Sequence, residues 1–253
     1  MQLSEILSYV KRPNLPERKV RVAAISESAG ECLEKLHALG IETVNVSSHP
    51  ALKHGIASHA DIQLLHLGGS RIISAAEHLY GIENYGLEII KEEHKLNAVY
   101  PRDVPLNSAI IGNKIICNKK TASRIVLEYA EKNGFTVIDV KQGYSRCSVA
   151  VLSENAIITD DSGIYKSAQF FFNDATLIEK NSIELQGYGY GFIGGCCGLI
   201  AKDTLAFSGS IMSHSSHNDI IDALNRNNIK AEELCSGRLK DIGGILPLIE
   251  ESP

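Results

Sequence analysis

The sequence has no tryptophan, only two methionines, and no apolar run close to the length of a membrane span. A helix needs about 20 consecutive apolar residues to cross a bilayer, so no membrane span or membrane partner is predicted. The opening segment MQLSEILSYVKRPNLPERK has no long apolar core and no small-residue cleavage site. It is therefore not predicted to be a signal peptide, and we expect a cytoplasmic protein.

Positive charge is also in short supply. The chain has 25 Lys+Arg against 30 Asp+Glu, for a formal net charge of -5. This balance argues against a general DNA-binding protein. Hydrophobic residues make up 44% and charged residues 22%, which is typical of a globular protein with a sizeable core. A length of 253 residues allows one large domain or two small ones.

No CxxC pair occurs among the six cysteines, at positions 32, 117, 147, 196, 197 and 235. Secreted disulfide scaffolds are shorter and richer in cysteine, so free thiols are expected, each a buried apolar residue or a reactive group. Cys196 and Cys197 are adjacent, and adjacent side chains of a strand point to opposite faces. They are not expected to share a metal ion, and no metal or cofactor is predicted.

A faint repeat runs through the chain. Five segments combine a polar or small residue, an apolar run and a Gly or Asn turn, with spacings of 42, 44, 49 and 45 residues. Their anchor residues are Asp61, Asp103, Cys147, Cys196 and Asp241. The unit is clearest after Asp103. There the pattern predicts a hairpin that turns at Gly112-Asn113, a helix over 121–133 and a strand over 136–140.

The two ends of the chain complete one another. The N-terminal part has a strand at 21–25, a helix at 30–39 and a second strand, but no leading strand, and the segment from Lys240 supplies one. This predicts a closed ring, which removes open sheet edges. Residues 19–253 are predicted to be one domain, and residues 1–18 an extension across its outside. The third unit is the weakest, with a poor helix after Gly163 and no clear structure for 174–190.

Three motifs occur at the anchors: Tyr100-Pro101-Arg102-Asp103, His59-Ala60-Asp61 and Arg146-Cys147-Ser148. With the five repeats, they resemble the pentein fold, an α/β five-bladed β/α propeller. That fold is shared by arginine deiminases, agmatine deiminases, dimethylarginine hydrolases and amidinotransferases, and by translation initiation factor six, which is not an enzyme. The resemblance implies that Cys147 is a nucleophile, that His59 is an acid/base and that Asp61 and Asp103 bind a guanidinium group.

The remaining candidates for a substrate site stand at the anchors or beside them: Arg102, Arg146, Cys196 and Asp241. Close carboxylates repel one another and raise one another's pKa. Asp61, Asp103 and Asp241 together would therefore call for a cation, which could be a small ligand, a metal or a neighbouring arginine. Each aspartate could instead cap a turn or pair with an arginine, and a strand cysteine is often simply buried.

A glycine-rich run at 187–195 carries Tyr188, Tyr190 and Phe192. It lacks the Gly-Lys-Ser/Thr of a phosphate loop. Its aromatic rings could form a wall of the site, its glycines could allow a close backbone approach at the ring centre, or it could be a bulged strand.

Two functions follow. The first is a cysteine-dependent hydrolase or deiminase acting on a small cationic guanidine or amidine. The second is a non-catalytic binding protein similar to the ribosome factor, with the ribosome as the less favoured partner. The enzymes carry their cysteine in the last repeat, where this chain has Asp241, and this favours the second. Asp103 is expected at the start of a ring-lining strand that Pro105 makes irregular.

Overall fold

The computed structural model describes residues 7–253. Its helices are α1 (Glu31–Ala38), α2 (Ala60–Gln63), α3 (Arg124–Lys132), α4 (Ser162–Ala168) and α5 (His217–Arg226). Its strands are β1 (Leu7–Tyr9), β2 (Val20–Ser26), β3 (Glu42–Val46), β4 (Leu64–Gly68), β5 (Arg71–Ser74), β6 (Leu79–Tyr80), β7 (Glu88–Lys91), β8 (Ala109–Ile111), β9 (Lys114–Cys117), β10 (Thr136–Asp139), β11 (Val149–Ser153), β12 (Ala156–Thr159), β13 (Asp174–Leu177), β14 (Cys197–Ala201), β15 (Thr204–Phe207), β16 (Lys230–Glu233) and β17 (Leu246–Glu251).

Within residues 7–253 these strands form five sheets. Four have three strands each, in the orders β4-β5-β7, β8-β9-β10, β11-β12-β13 and β14-β15-β16, and the fifth has the order β1-β17-β2-β3-β6. In every sheet a leading strand pairs antiparallel with a second strand, which pairs parallel with a third. The predicted order of strand, strand, helix and strand is confirmed in the sheets led by β8, β11, β14 and β17.

Local chemistry explains the clearest unit. Gly112 has φ +60° in the turn between β8 and β9, a left-handed conformation that glycine adopts without a steric penalty. The side chain of Ser123 accepts a hydrogen bond from the backbone N–H of Ile125 and so caps α3. The hairpin turn predicted at Gly112-Asn113 is confirmed, and the predicted helix is shorter, since it begins only after Ser123.

Both ends of the chain meet in one sheet. Leu246 pairs with Ala24, so β17 is the leading strand that β2 lacks, as the sequence predicts. β1 pairs with the other edge of β17. Residues 1–6 of the predicted N-terminal extension lie outside the described residues. Val10 and Leu15, which follow β1, are buried.

The core is built from the strands of neighbouring sheets. The largest buried cluster joins the sheets led by β11 and β14, through Val149, Ile157, Leu205 and Phe207. Among residues 7–253, no helix has both the length and the apolar character that a bilayer crossing requires.

Several element predictions need correction. The third unit does contain a helix, α4, because Asp161 caps it by accepting hydrogen bonds from the N–H groups of Gly163 and Ile164. The segment 174–190 begins with strand β13, which pairs with β12. The unit led by β4 has a short 3-10 helix at Ile82–Tyr85 before its third strand.

The anchor residues do not begin strands. Asp61 lies in α2, Cys147 lies in a turn just before β11, and Asp103 and Asp241 precede β8 and β17 by several residues. The offset between anchor and strand therefore differs from one unit to the next. Asp103 in particular is in a turn and not at a strand start, because Pro105 has no N–H to donate to a ladder.

Candidate active site

A cavity of about 190 Å³ lies among the loops that precede the leading strands. Cys147, His59 and Asp241 line it, and they come from the loops or turns before β11, β4 and β17. Three residues that are far apart in sequence, and that were each predicted to be functional, therefore share one enclosed space.

Aromatic rings form much of the wall. Tyr188, Tyr190 and Phe192 of the glycine-rich run line the cavity together with Tyr144. The rings of Tyr144 and Phe192 stack with centroids 5.8 Å apart, and Tyr190 meets Phe192 edge-on at 5.6 Å. Of the open interpretations of residues 187–195, the structure shows the aromatic wall and also a close backbone approach, since a Cβ at Gly194 would lie 2.4 Å from the carbonyl oxygen of Arg146. Such a wall excludes water and offers π faces to a cation.

The Cys147 thiol is held by Asn107, a residue that the sequence analysis missed. The Asn107 side chain donates to Cys147 Sγ at 3.0 Å and to the carbonyl of Asp61 at 2.8 Å. Its Oδ1 accepts from the backbone N–H groups of Arg146 and Cys147, at 2.8 and 3.2 Å. Because two N–H donors fix the position of Oδ1, the amide NH₂ must face the sulfur.

A positional signal for Asn107 was present in the chain. Asn107 stands two residues before β8, as Cys147 stands two residues before β11. If the anchor of the second unit is placed two residues before its leading strand, as Cys147 is in the third unit, that anchor is Asn107. The offset differs in the other units. The search for an aspartate moved the anchor to Asp103, four positions too early.

Asp241 is fixed by backbone donors. Its Oδ2 accepts from the N–H of Phe192 at 3.0 Å and its Oδ1 from the N–H of Gly243 at 3.1 Å. The Nδ1 atom of His59 lies 3.6 Å from Asp241 Oδ1. His59 Nδ1 is buried and has no hydrogen-bond partner in the described residues. The carboxylate thus lies beside the imidazole, where it can orient the ring.

Asp61 lies close to Cys147 but is not one of the residues that line the cavity. It is fully buried, and both of its carboxylate oxygens lack a hydrogen-bond partner among residues 7–253. Its backbone N–H donates to the carbonyl of Gly243, which ties it to the Asp241 loop. Burying a carboxylate without a partner is costly. A cation bound beside it would remove that cost.

The electrostatics of the cavity keep the cysteine protonated. Burial raises the pKa of the Cys147 thiol well above its usual range, and the neighbouring carboxylates of Asp61 and Asp241 raise it further. The hydrogen bond from Asn107 acts in the opposite direction. Burial also raises the pKa of Asp241. The nearby His59 acts in the opposite direction, while the Asp61 carboxylate raises this pKa further. The thiol therefore lies beside two buried carboxylates, and among residues 7–253 neither of them forms an ion pair with a Lys or Arg side chain.

A second residue that the sequence analysis missed, the acid Asp160, lies beside the site. Asp160 is 3% exposed, its Oδ2 accepts from the N–H of Ile193 at 3.1 Å, and its Oδ1 has no partner among the described residues. Burial raises the pKa of Asp160 from 3.8 to about 7, against the lowering effect of the Ile193 N–H. Nothing in the repeat marks Asp160, because it follows the second strand of its unit and not the first.

Asp160 makes stability depend on pH in a defined direction. Between about pH 4 and pH 7 the folded state holds this proton while the unfolded state releases it, so stability falls as pH rises through that window. Asp160→Asn removes this proton equilibrium. We therefore compare the free energy of unfolding of the variant with that of the wild type, from urea unfolding curves at several pH values. The difference, variant minus wild type, should increase by up to about 4 kcal/mol from pH 4 to pH 7. Parallel curves for the two proteins would contradict the assignment.

Gly195 leaves room for Asp241. A Cβ at Gly195 would lie 2.0 Å from Asp241 Oδ1. Gly195→Ala should therefore displace the carboxylate and lower stability by about 1–3 kcal/mol. Gly189 also lines the cavity, and a Cβ there meets nothing within 4 Å. Gly189→Ala is the matched control and should stay within about 0.5 kcal/mol of the wild type in thermal unfolding. Equal losses in the two variants would show that the carboxylate is not the obstacle.

Asp103 reaches the cavity only through Tyr144. Its Oδ2 accepts from the Tyr144 hydroxyl, and its Oδ1 is buried without a partner in the described residues. Burial raises the pKa of Tyr144, and the Asp103 carboxylate adds to this effect. Of the alternatives for Asp103, the pair with an arginine is not seen among residues 7–253, and the partner is Tyr144, which lines the cavity.

The structure places the other predicted site residues away from the cavity. Arg102 is exposed and lines a separate cleft with Lys120 and Arg124. Arg146 is buried, and its guanidinium donates to Asn14 Oδ1 and to the carbonyls of Val149 and Gly194, at 3.1–3.2 Å. Because these oxygens are neutral, the positive charge of Arg146 is not paired with a carboxylate.

Cys196 is also outside the cavity lining. The thiols of Cys196 and Cys197 both donate to the carbonyl of Ile193, at 3.1 and 3.2 Å. The expectation that the two side chains point to opposite faces is wrong, because Cys196 ends a 3-10 helix and only Cys197 begins β14. Among residues 7–253, no group of three or more His, Cys, Asp or Glu side chains is arranged to hold a metal ion.

A larger polar cleft of about 640 Å³ adjoins the cavity and shares His59, Tyr188 and Asp241 with it. Serine hydroxyls line one part of the cleft, where Ser58 hydrogen-bonds to Ser26 at 2.6 Å. Arg238 and Lys240 line it too. The polar cleft can therefore hold the part of a ligand that extends beyond the cavity.

Comparison with families places the chain in one described as "Family of unknown function (DUF6873)", whose model matches residues 24–246. No curated protein matches the sequence.

Three solved structures are similar in fold. An amidinotransferase of saxitoxin biosynthesis from Microseira wollei has a TM-score of 0.51 and 13% identity, with 91% of each chain covered. DDAH from Pseudomonas aeruginosa, in complex with citrulline, has a TM-score of 0.51 and 10% identity, with 92% of this chain and 100% of that chain covered. Agmatine deiminase from C. jejuni has a TM-score of 0.50 and 10% identity, with 90% of each chain covered.

All three structures are members of the pentein superfamily. The predicted pentein resemblance and the mixed α/β class are confirmed. At 10–13% identity the likeness concerns the fold. The arrangement of the five sheets as propeller blades stays a prediction.

Proposed function

This chain belongs to DUF6873, a family of unknown function, and we propose that it binds the cationic head of a small amidine or guanidine and hydrolyses a C–N bond of that head at Cys147. The carrying observation is that Cys147 shares an enclosed cavity with His59 and Asp241 beside Asp61, whose buried oxygens have no partner in the described residues. A nucleophile, a proton carrier and unpaired negative charge are the three requirements of amidine hydrolysis.

The charge of the ligand supplies the activation. Burial and two carboxylates hold the pKa of Cys147 well above its usual range. An amidinium or guanidinium bound at Asp61 and Asp241 offsets both carboxylates, and the pKa of the thiol falls. The thiolate then forms when a substrate of the right charge is present. A neutral molecule of the same shape gains no such benefit.

The proposed reaction has two stages. Cys147 Sγ loses its proton to His59 and attacks the amidine carbon, which converts the C=N bond into a single bond. The tetrahedral adduct expels an amine or ammonia, which takes the proton back from His59. Water then gives a proton to His59 and attacks the same carbon. The C–S bond breaks as His59 returns this proton to the sulfur, the hydroxyl proton passes to the released amine or ammonia, and an amide or urea leaves. A positioned acid/base contributes about 10²–10⁴-fold to such steps.

The fold supports this assignment of roles. We propose that the five sheets are the blades of a propeller with the cavity at its centre. The residues that line the cavity precede leading strands of different sheets, as His59 precedes β4, Cys147 precedes β11, Phe192 precedes β14 and Asp241 precedes β17. A central position explains why four sheets contribute to one small cavity.

The sizes of the two spaces limit the ligand. A volume of about 190 Å³ corresponds to about six water molecules in the liquid. This is enough for an amidinium or guanidinium with a short carbon chain. Longer ligands would extend past Tyr188 into the polar cleft.

The test is turnover on a panel of acetamidine, guanidine, methylguanidine, agmatine and arginine, with ammonia, amine and urea as the measured products. We expect product from at least one compound with the wild type and none above background with Cys147→Ala. Intact mass spectrometry of a rapidly quenched reaction should show a covalent adduct on the wild type. Product formation that persists in Cys147→Ala would overturn the catalytic role.

A non-catalytic binding protein is the second candidate. It is favoured by the high pKa of Cys147 and by Asp241 standing where the resembling enzymes carry their cysteine. It predicts that a panel compound raises the melting temperature without any turnover in either protein. Co-sedimentation with large ribosomal subunits tests the less favoured ribosome partner in the same preparation.

A further inference from the structure

Cys32 of α1 and Cys235, two residues after β16, are neighbours in space although most of the chain separates them. Cys32 is 2% exposed, and Cys235 is half-buried against the same apolar cluster. Both cysteines belong to this cluster, and after burial itself the Cys235 thiol is the main cause of the raised pKa of Cys32.

Other contacts fix the distance between the two segments. One turn along α1 from Cys32, Lys35 Nζ lies 3.4 Å from Glu232 Oε1 of β16. Leu36 of α1 and Leu234 of the segment after β16 are buried in the same cluster. The two cysteines are therefore held together by the packing of α1 beside β16 and not by the thiols alone.

The two segments also border the polar cleft. Ser28, four residues before Cys32, lines the cleft, and so do Arg238 and Lys240, which follow Cys235. A covalent bond between Cys32 and Cys235 would therefore link two of the segments that line the polar cleft.

We propose that Cys32 and Cys235 form a reversible disulfide that links α1 to the segment after β16. A disulfide needs Cα atoms about 4.4–6.8 Å apart and side chains directed at each other, and the packing of both cysteines at one apolar cluster brings their two segments together for such a bond. The proposal does not rest on the function proposed for Cys147.

The oxidant is a small disulfide such as oxidised glutathione. The thiolate of Cys235, the more exposed partner, attacks one sulfur of the oxidant, forms a mixed disulfide and expels one glutathione thiolate. Cys32 then loses its proton and attacks the Cys235 sulfur, and the second glutathione thiolate leaves. The two protons from the cysteines pass to the two glutathione molecules. Two cysteines are oxidised and one glutathione disulfide is reduced.

Exposure makes the reaction selective. Among residues 7–253, Cys235 is the one cysteine that is not buried, while Cys117, Cys147, Cys196 and Cys197 are buried. The adjacent Cys196 and Cys197 donate to one carbonyl, and their burial keeps a dissolved oxidant from them. A folded protein should therefore be oxidised at one place.

The experiment treats the folded full chain with oxidised glutathione, then blocks free thiols under denaturing conditions and maps the peptides without reduction. We expect the free-thiol count to fall by two, a peptide that links Cys32 to Cys235, and full recovery of thiols with reduced glutathione. The melting temperature of the oxidised form should rise by about 5–10 °C, because the bond closes a very long loop.

Three variants complete the test. Cys32→Ser should stop at the mixed disulfide and retain one glutathione on Cys235. Cys235→Ser should show neither adduct nor a melting shift. Cys117→Ser should still form the disulfide, because its cysteine is outside the pair. An oxidised wild type that keeps all its thiols, or one that links any other pair, would overturn the proposal.

Discussion

Replacing Asp61 with asparagine should slow the alkylation of Cys147 by 2-chloroacetamidine about 100-fold at pH 7 and should leave the protein as stable as the wild type or more stable. The loss follows from removing one carboxylate from the site of a cationic reagent, an interaction of about 3–4 kcal/mol at a few ångströms. The gain in stability follows from removing a buried charge whose oxygens have no partner in the described residues.

The same variant should respond in the opposite direction to a neutral reagent. The Asp61 carboxylate raises the pKa of Cys147, so Asp61→Asn should alkylate as fast as the wild type or faster with 2-chloroacetamide. Asp203→Asn is the control, since Asp203 is exposed and pairs with Lys230 at the surface, and neither rate should change. If Asp61→Asn instead lost about 3–5 kcal/mol of stability, Asp61 would be one partner of a buried structural pair.

Asn107→Ala should have the largest effect on stability. It leaves the backbone N–H groups of Arg146 and Cys147 and the carbonyl of Asp61 without their partner. Each unsatisfied buried group costs about 1–3 kcal/mol, so the free energy of unfolding should fall by about 3–5 kcal/mol in urea titrations. Asn97 is exposed and makes one local hydrogen bond, so Asn97→Ala should cost less than about 1 kcal/mol.

A second measurement separates positioning of the thiol from general support of the fold. Because Asn107 donates to Cys147 Sγ at 3.0 Å and lowers its pKa, Asn107→Ala should shift the pH profile of Cys147 alkylation upward. The profile is measured at a temperature where the variant is folded. An unchanged profile in a destabilised protein would mean that Asn107 supports the loop without acting on the sulfur.

Much of the fold could be predicted because the turns, strands and helices of the clearest units have recognisable local sequence patterns. The turn at Gly112-Asn113, the apolar runs of β8 and β9 and the helical spacing of α3 can each be recognised without knowledge of the rest of the chain. Pairing of the two chain ends followed from counting which strands each end lacked.

The candidate site could be predicted only in part. Asp61, Cys147 and Asp241 were predicted as anchors of the repeat, and His59 from its place in the His59-Ala60-Asp61 motif. Asp61 lies outside the cavity lining, and so do the other predicted site residues, which stand at anchors or beside them: Arg102, Asp103, Arg146 and Cys196. The repeat predicts which loops come together. The position of each side chain depends on the number of residues between its anchor and the following strand.

Asn107 and Asp160 were missed for different physical reasons. Asn107 was missed because the predicted anchor of its unit was Asp103, and because it acts through hydrogen bonds to the backbone of Arg146 and Cys147, 39 and 40 residues away in the sequence. Asp160 owes its raised pKa to burial, which depends on the packing of the Phe192 segment above it and not on its own unit.

The most direct test of the account is the selectivity of Cys147 for a charged over a neutral alkylating reagent of the same shape. The rate constants for 2-chloroacetamidine and 2-chloroacetamide are measured on the wild type at pH 7, assigned to Cys147 by peptide mapping, and compared with the same ratio for glutathione. The account predicts that the protein favours the amidine at least about 100-fold more than glutathione does. A ratio equal to that of glutathione, with Cys147 still accessible to the neutral reagent, would contradict a cation-binding cavity at Cys147.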